Sequence, residues 1–592
     1  MLKTIISKVI DKTLKKIKIY EFIFREKESK FAVGAIHELP FQEYHLQKLN
    51  LRTDQKEFYE KIQKNEFFIF DNFRNINEFK DIQQKDKPFW KCTWKHFDPK
   101  DYWEISRSTQ WLQAYTYAQE IGKEQTVIEK LKEWINQTPY LKGLDWAVPL
   151  DVAIRGINFL LLYQQCKEQF LIEELWKHYV YLKRNLWISK NSIRNNHYLG
   201  ELTAVAILSD FFNQTKAKKY KNQLEKEFQN QFYQDGVNEE QSIRYHKFAL
   251  EFMIIAKVFL KINTPRLTNA IDFLRYTKKP DNTWPSIGDD DLGCVLKNST
   301  DLYDYDYCLN FLENNQPLSP TKDFDKGGFL IHRSEKNNSQ IIIKYGPHKW
   351  HAHADLFHIE LTINGIPILI DSGTYRYNNV PKERNYFRST KAHNTLEYNE
   401  KDQTEQWTKF RWKKGAKVIN KEMKEKNDTI TFSAEHTGYK KDGIIHKRTI
   451  EFDKELKEIK VIDKIKGNPT KDTKIYWHLD PRIEPTIIQE NNNKKIRLTK
   501  SLPTVGGTTE EIRLTNSPPT EGGTTEGGGE GSRKTNDKIK TLGTIQIKGA
   551  KPKIKKTPYS KYYSHISENP TIIAEKANNT KTITTTFNFK AK

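Results

Sequence analysis

The stretch that decides the fold reads Trp350-His-Ala-His-Ala-Asp-Leu-Phe-His-Ile-Glu-Leu-Thr-Ile-Asn-Gly-Ile-Pro-Ile-Leu-Ile-Asp-Ser-Gly-Thr-Tyr375. It opens with His351, His353 and Asp355 at alternating positions. An extended backbone there would point all three to one face. Apolar residues then run from Phe357 to Ile370, broken by Asn364-Gly365. Asn-Gly between two apolar runs is a strong hairpin signal, because both residues accept the positive φ of a tight turn. Asp371 ends the second strand, Gly373 sits in the turn that follows, and Arg388-Ser-Thr-Lys-Ala-His393-Asn-Thr comes soon after. A hairpin carrying His351, His353 and Asp371 at its ends, with His393 close behind, gathers imidazoles and a carboxylate. Such a group suits a zinc-like metal, a proton-transfer site, or both.

To the N-terminal side of this stretch the helical period dominates, from about 110 to 315. Glu124 to Ile135 reads as an amphipathic helix, with Val127, Ile128, Leu131 and Ile135 on one side. Val152 to Tyr163 is apolar except for Arg155 and Asn158, so it should be well buried. Further helices are expected at 168–188, 198–212, 216–232 and 242–262. Consecutive helices of similar length with short connections predict helical hairpins stacked in a ring or solenoid. Residues 86–115 hold a cluster of aromatic side chains, and residues 1–85 read as a helical and irregular cap. Near 315 the pattern changes. Residues 314–325 read as a linker, and strand-like runs follow at 328–332, 340–345, 429–434, 444–452, 458–465 and 473–479. Their alternation and turn residues predict an antiparallel sandwich. Residues 503–532 form a Gly/Thr/Pro/Glu tract that cannot build a core and reads as a flexible insertion. Strand-like Thr/Ile patterns resume over 538–592.

The chain has 592 residues, too many for one ordinary core, and a net charge of +22. That charge favours polyanionic partners. No helix-turn-helix, zinc-finger or RNP-like pattern accompanies it, so nucleic acid is not the expected partner. Cys92, Cys166, Cys294 and Cys308 are sparse and lack CxxC spacing, which excludes a disulfide framework or a Cys-rich metal site. No stretch reaches the roughly 18 apolar residues of a membrane span. The N-terminus shows no apolar core of a signal peptide. This points to a cytoplasmic protein, with a periplasmic one as the alternative. Residues 1–24 read as a basic amphipathic helix packed on the body.

The order His-x-His-x-Asp, then Asp371-Ser-Gly-Thr-Tyr375, then Arg388-Ser-Thr-x-x-His393-Asn-Thr resembles the signature of the heparinase II/III family of polysaccharide lyases, whose relatives include some alginate lyases. The resemblance covers roughly 85–480. It implies an α+β multidomain protein: an N-terminal incomplete (α/α) toroid over 86–318 and an antiparallel β-sandwich over 319–592, with the active site in the cleft between them. It implies an Asn-His pair at Asn196 and His197, within Arg194-Asn-Asn-His197. It makes Tyr245, in the Ser-x-x-Tyr-His run that begins at Ser242, the counterpart of the family's catalytic tyrosine. His351 would pair with it. His353, Asp371 and His393 match the family's metal positions, for a divalent ion, zinc by resemblance, in a structural role. Two His and a carboxylate with an open position equally suit a catalytic zinc. The loop Pro285-Ser-Ile-Gly-Asp-Asp-Asp291 would turn toward the cleft.

The same residues can be read without the family. Asn195 at a helix entrance can cap it by accepting a backbone N–H. Arg384 and Arg388 are candidates for gripping an acidic sugar, since guanidinium forks match carboxylates. Trp146 and Arg155 are expected to line the cleft from the helical side. The activity that the resemblance implies is β-elimination on a uronate-containing acidic polysaccharide. The alternatives are a metal-dependent hydrolase, with Asp355 as its water-activating carboxylate, and a non-catalytic protein of surface-polysaccharide assembly.

Overall fold

The computed structural model describes residues 55–590 except 193, 298, 303–304, 313–315, 491–492, 502–538 and 577–579. The expected helix at 1–24 and the tract at 503–532 lie outside the described residues.

The first described elements are a helix, Gln55–Gln63, and an antiparallel hairpin pairing Glu66–Ile69 with Asn72–Asn75. The cap is therefore not purely helical and irregular. Phe67, Phe68 and Ile69 are buried, and Phe67 meets Trp111 edge-on at 5.6 Å. Apolar burial, rather than local propensity, holds this short ribbon, which would be marginal alone.

Helices follow at Lys100–Ser106, Trp111–Glu120, Glu124–Asn136, Pro149–Cys166, Gln169–Ser192, Asn196–Phe211, Ala217–Gln231, Ile243–Leu260 and Pro265–Thr277. Their starts are chemically marked. Pro149 and Pro265 occupy first helical turns, and Asn195, Ser242 and Thr264 cap their helices by accepting backbone N–H groups. Pro149–Cys166 is buried over nearly its whole circumference, as its apolar sequence requires. Successive helices pack on one another.

The first strand of the C-terminal half, Thr321–Phe324, begins inside the segment expected to be a linker. It opens a five-stranded sheet completed in spatial order by Phe329–Ser334, Ser339–Lys344, His358–Ile363 and Ile366–Leu369. Asn364 and Gly365 take φ of 52° and 76° and close the expected hairpin. An eight-stranded sheet runs in the order 418–426, 429–436, 445–453, 458–466, 582–589, 539–548, 493–501 and 484–490. A four-stranded sheet holds 550–559, 567–576, 473–478 and 396–398. All named strand pairs are antiparallel.

Strand Ile445–Asp453 alternates buried and half-buried residues, so one face is core and the other meets solvent. By contrast, Ser339–Lys344 and His358–Ile363 are buried on both faces. The reason is visible in their partners. Ile331 and Ile342 belong to the helical core, whereas Leu330, Ile341 and Ile343 belong to the sandwich core. The five-stranded sheet is thus a shared layer between two hydrophobic cores. The loops at its ends lie at the junction of the two halves.

The four cysteines are free. Among the described residues no helix is long and apolar enough to cross a membrane.

Candidate active site

A cleft of about 400 Å³ opens at that junction. Asn196, His197 and Tyr245 line it from the helices, and Trp350, His351, Tyr377, Phe410 and Arg411 line it from the sandwich. A larger open groove of about 1210 Å³ adjoins it and shares Trp94, Tyr377, Asn378, Thr408 and Lys409.

Each central side chain is placed by a nearby backbone feature. The hydroxyl of Ser242 accepts the N–H of Tyr245 at 3.1 Å and starts the helix that carries it. Asn195 accepts the N–H of His197 at 3.1 Å and does the same for Asn196 and His197. The capping reading of Asn195 is the structural one. The loop 285–291 reaches the site because Gly288, at φ +76°, packs where a Cβ would come within 2.7 Å of the carbonyl oxygen of Gln241 and 2.9 Å of that of His351.

The rings of Tyr245 and His351 are stacked, with centroids 3.6 Å apart. The Tyr245 hydroxyl is 3.1 Å from that of Tyr377. Nδ1 of His351 lies 2.9 Å from Oδ2 of Asp289, and its Nε2 lies 3.3 Å from Oε2 of Glu240. Glu240 in turn accepts both the backbone N–H and the side-chain N–H of Asn196, each at 2.8 Å. Asp289 also takes Nε2 of His353 at 2.9 Å and both terminal nitrogens of Arg384. One carboxylate therefore joins the stacked histidine to the neighbouring histidine cluster.

The electrostatics follow from this wiring. Burial alone would raise Asp289, but Arg384 and the bonds to His351 and His353 hold its carboxyl well below the usual range. Burial, with Asp291 close by, pushes the Tyr245 phenol well above its ordinary value. Burial pushes Glu240 up to about 7 against the pull of His351 and Asn196.

His353, Asp371 and His393 are buried, and one donor atom from each lies within 4.8 Å of the others. Nδ1 of His353 and Nε2 of His393 are buried without a hydrogen-bond partner. Nδ1 of His393 is 2.9 Å from Asp371, and Nε2 of His358 is 3.6 Å from the same carboxylate. Orphaned imidazole nitrogens are costly unless something binds them. Two of them beside a carboxylate fit a divalent ion of the zinc type.

The alternation of His351, His353 and Asp355 does not put all three on one face. Residues 346–357 form no strand. His351 and His353 both meet Asp289, while Asp355 forms a buried ion pair with Lys344. Burying a carboxylate requires such a partner.

Trp146 and Arg155, expected to line the cleft, do not, and Arg384 and Arg388, expected to grip an acidic sugar, are engaged by protein groups. Trp146 packs on Tyr140, His178 and Tyr181 inside the helical core, and Arg155 is spent there on His178, Ser106 and Asp145. Neither lines the cleft. Arg384 borders the larger groove, but its guanidinium is held by Asp289. Arg388 is fully buried, lies 4.3 Å over the Trp412 ring and donates to the carbonyl of Thr408. Lys100, Arg107, Lys409 and Arg411 line the cleft; the first two are paired with Glu104, Asp151 and Asp291, and the last two belong to the hairpin pairing Gln406–Thr408 with Arg411–Trp412. Phe410 of that hairpin stands 5.7 Å from the His351 ring.

Comparison with known proteins bears on this arrangement. Residues 316–553 match the family model described as Heparinase II/III-like, C-terminal. The chain is 25% identical to a heparin-sulfate lyase of Bacteroides stercoris, over 62% of this chain and 63% of that protein. A heparin-sulfate lyase of Pedobacter heparinus is 24% identical over 45% of this chain and 43% of its own length. The chain therefore matches less than two thirds of the length of these curated relatives. Among solved structures, heparinase III superposes with a TM-score of 0.67 at 15% identity, covering 97% of this chain and 91% of that one. A heparan sulfate lyase mutant from Pedobacter heparinus gives 0.58 at 17%, covering 93% and 86%. These likenesses bear out the expected fold: an incomplete (α/α) toroid followed by an antiparallel β-sandwich.

Glu240, Asp289, Tyr377 and His358 were not among the residues expected at the site. Asp289 lies within the loop 285–291, and Glu240 lies two residues before the Ser-x-x-Tyr-His run. Tyr377, two residues past the quoted stretch, carried no local signal.

Proposed function

We propose that the protein is a polysaccharide lyase that cleaves a uronic-acid-containing acidic glycan by β-elimination. The observation that carries this reading is the stack of Tyr245 on His351 beside Asn196 in one cleft. The C5 proton of a uronate is a very weak acid while the adjacent carboxylate is charged. Asn196 and His197 line the cleft where they can bind that carboxylate and stabilise the enolate-like charge that develops. The C5 proton must then be taken and the 4-linked oxygen protonated as it leaves. The imidazole of His351, held by Asp289 at Nδ1 and by Glu240 at Nε2, is placed for the proton transfer. Tyr245 is held as a phenol and so suits the acid role. The stereochemistry of the uronate at C5 decides whether this division holds or Tyr245 performs both transfers.

His353, Asp371 and His393 would hold a divalent metal, zinc by its ligand set, whose chemistry here would be to fix the loop that carries His351. Lys409 and Arg411 would meet the polyanion. The lyase names of the relatives and the net charge of +22 support an acidic substrate.

The test is an absorbance assay for the C4–C5 double bond on heparan sulfate, alginate, hyaluronan and bacterial capsular glycans, with Tyr245→Phe and His351→Ala as controls. Signal that disappears in both variants supports the reading. New reducing ends without the double bond would replace it with hydrolysis, and binding without turnover would replace it with a glycan-assembly role.

A further inference from the structure

Glu240 is completely buried on the segment that leads into helix Ile243–Leu260, and it is not among the residues that line the cleft. Its carboxylate nevertheless touches two residues that do. Oε1 accepts the backbone N–H of Asn196 at 2.8 Å, and Oε2 accepts a side-chain N–H of the same residue at 2.8 Å. Oε2 also lies 3.3 Å from Nε2 of His351. The segment itself is pinned. The N–H of Glu240 donates to Oδ1 of Asn238 at 2.9 Å, and its carbonyl accepts the N–H of His351 at 3.3 Å.

This is an expensive way to start a helix. A buried carboxylate costs several kcal/mol unless donors converge on it. Asn195 already caps the helix that Asn196 begins. What the carboxylate adds is orientation. The terminal torsion of an asparagine is broad and roughly two-fold. Bonds from the main chain and the amide of one residue to the two oxygens of one carboxylate select a single setting of that amide. They leave its second N–H and its oxygen unclaimed by Glu240. The same carboxylate sets the distance between that amide and the imidazole of His351.

We propose that Glu240 is a positioning residue of the elimination: it holds the amide of Asn196 against the substrate carboxylate, in register with Nε2 of His351. Neutralisation and proton transfer then act on adjacent atoms of one sugar. The inference rests on the lyase reading above. Glu240→Gln is the informative change. It keeps the shape but places an N–H where an acceptor is needed, so the Asn196 amide must turn over.

The experiment measures kcat and KM for double-bond formation in wild type, Glu240→Gln, Asn196→Ala and the double variant, on the glycan that wild type cleaves. Folding is checked by circular dichroism. The expected result is a fall in kcat on the order of 100-fold for Glu240→Gln with KM within about threefold. The double variant should be no slower than Asn196→Ala alone, because Glu240 acts through Asn196. Wild-type kcat in Glu240→Gln, or effects that multiply in the double variant, would overturn the inference. Should Glu240→Gln not fold, Glu240→Asp keeps the charge and withdraws the oxygens by roughly 1.5 Å, and the same readings decide. If wild type itself forms no double bond on any glycan, the lyase reading fails, and that outcome is distinct from an active wild type whose kcat is indifferent to Glu240.

Discussion

The ring of Tyr245 lies on that of His351 with the planes 10° from parallel. One comes from a helix of the toroid and the other from a loop of the sandwich, so the contact exists only when the two halves are assembled. It presents a phenol and an imidazole nitrogen to one cleft.

Tyr245→Phe keeps the stack and removes the hydroxyl. Elimination is expected to slow by at least about 100-fold, the usual scale for a lost general acid or base. Stability should fall only by about 1 kcal/mol, for the hydrogen bond to Tyr377. Single-turnover kinetics and a urea melt on the same preparation check both. A large loss of stability with intact turnover would remove Tyr245 from the chemistry.

Glu240 gives a pH signature. In the unfolded chain a glutamate titrates near 4.3. In the fold, burial pushes Glu240 up to about 7. Between those values the folded protein keeps a proton that the unfolded chain has released. The group therefore favours the fold at low pH, and its contribution, about 4 kcal/mol at most, is lost as pH rises through about 7. Glu240→Gln has no such dependence. The Tm of the variant relative to wild type should thus rise between pH 5 and pH 8, and a gap that stays constant would contradict the raised carboxyl.

Metal content can be read directly. Purified protein is expected to carry about one zinc per chain by elemental analysis, and His393→Ala is expected to lose it. A chelator should lower the Tm of wild type by several degrees and leave that of His393→Ala unmoved. Protein that carries no metal and ignores the chelator would leave Nδ1 of His353 and Nε2 of His393 to water.

Gly288→Ala tests how the loop 285–291 is seated. The added methyl would meet Gln241, Ser242 and His351 at 2.7 to 2.9 Å, on a backbone with positive φ. A destabilisation of about 2–4 kcal/mol is expected, together with loss of turnover as Asp289 is displaced. A denaturant midpoint unchanged by the substitution would show that the loop can move without cost.

Arg411→Ala should raise KM several-fold at low salt and leave kcat nearly intact, with the effect shrinking as ionic strength rises. Arg388→Ala should behave differently. It empties a buried site over Trp412 and is expected to lower stability rather than affinity. Denaturant melts beside KM values at two salt concentrations separate the two. Equal KM effects from both would restore Arg388 to the substrate.

Much of the architecture is set by short-range chemistry and is therefore legible in the chain. Apolar period and the cap at Asn195 mark helices near where they occur, although the helix Pro265–Thr277 was not among those expected. Asn364-Gly365 forces its turn because few other pairs accept two positive φ values. His353, Asp371 and His393 stand within reach of one another because that hairpin is short. The Arg and Trp roles were not legible. A buried charge takes whichever partner the tertiary structure brings, so Arg155 is spent on His178 and Arg384 on Asp289. The wiring of the site, from Asn196 through Glu240 to His351 and on to Asp289, joins residues up to 155 positions apart. Local pattern carries no information about such pairs. Only the packing of both cores against one shared sheet brings them together.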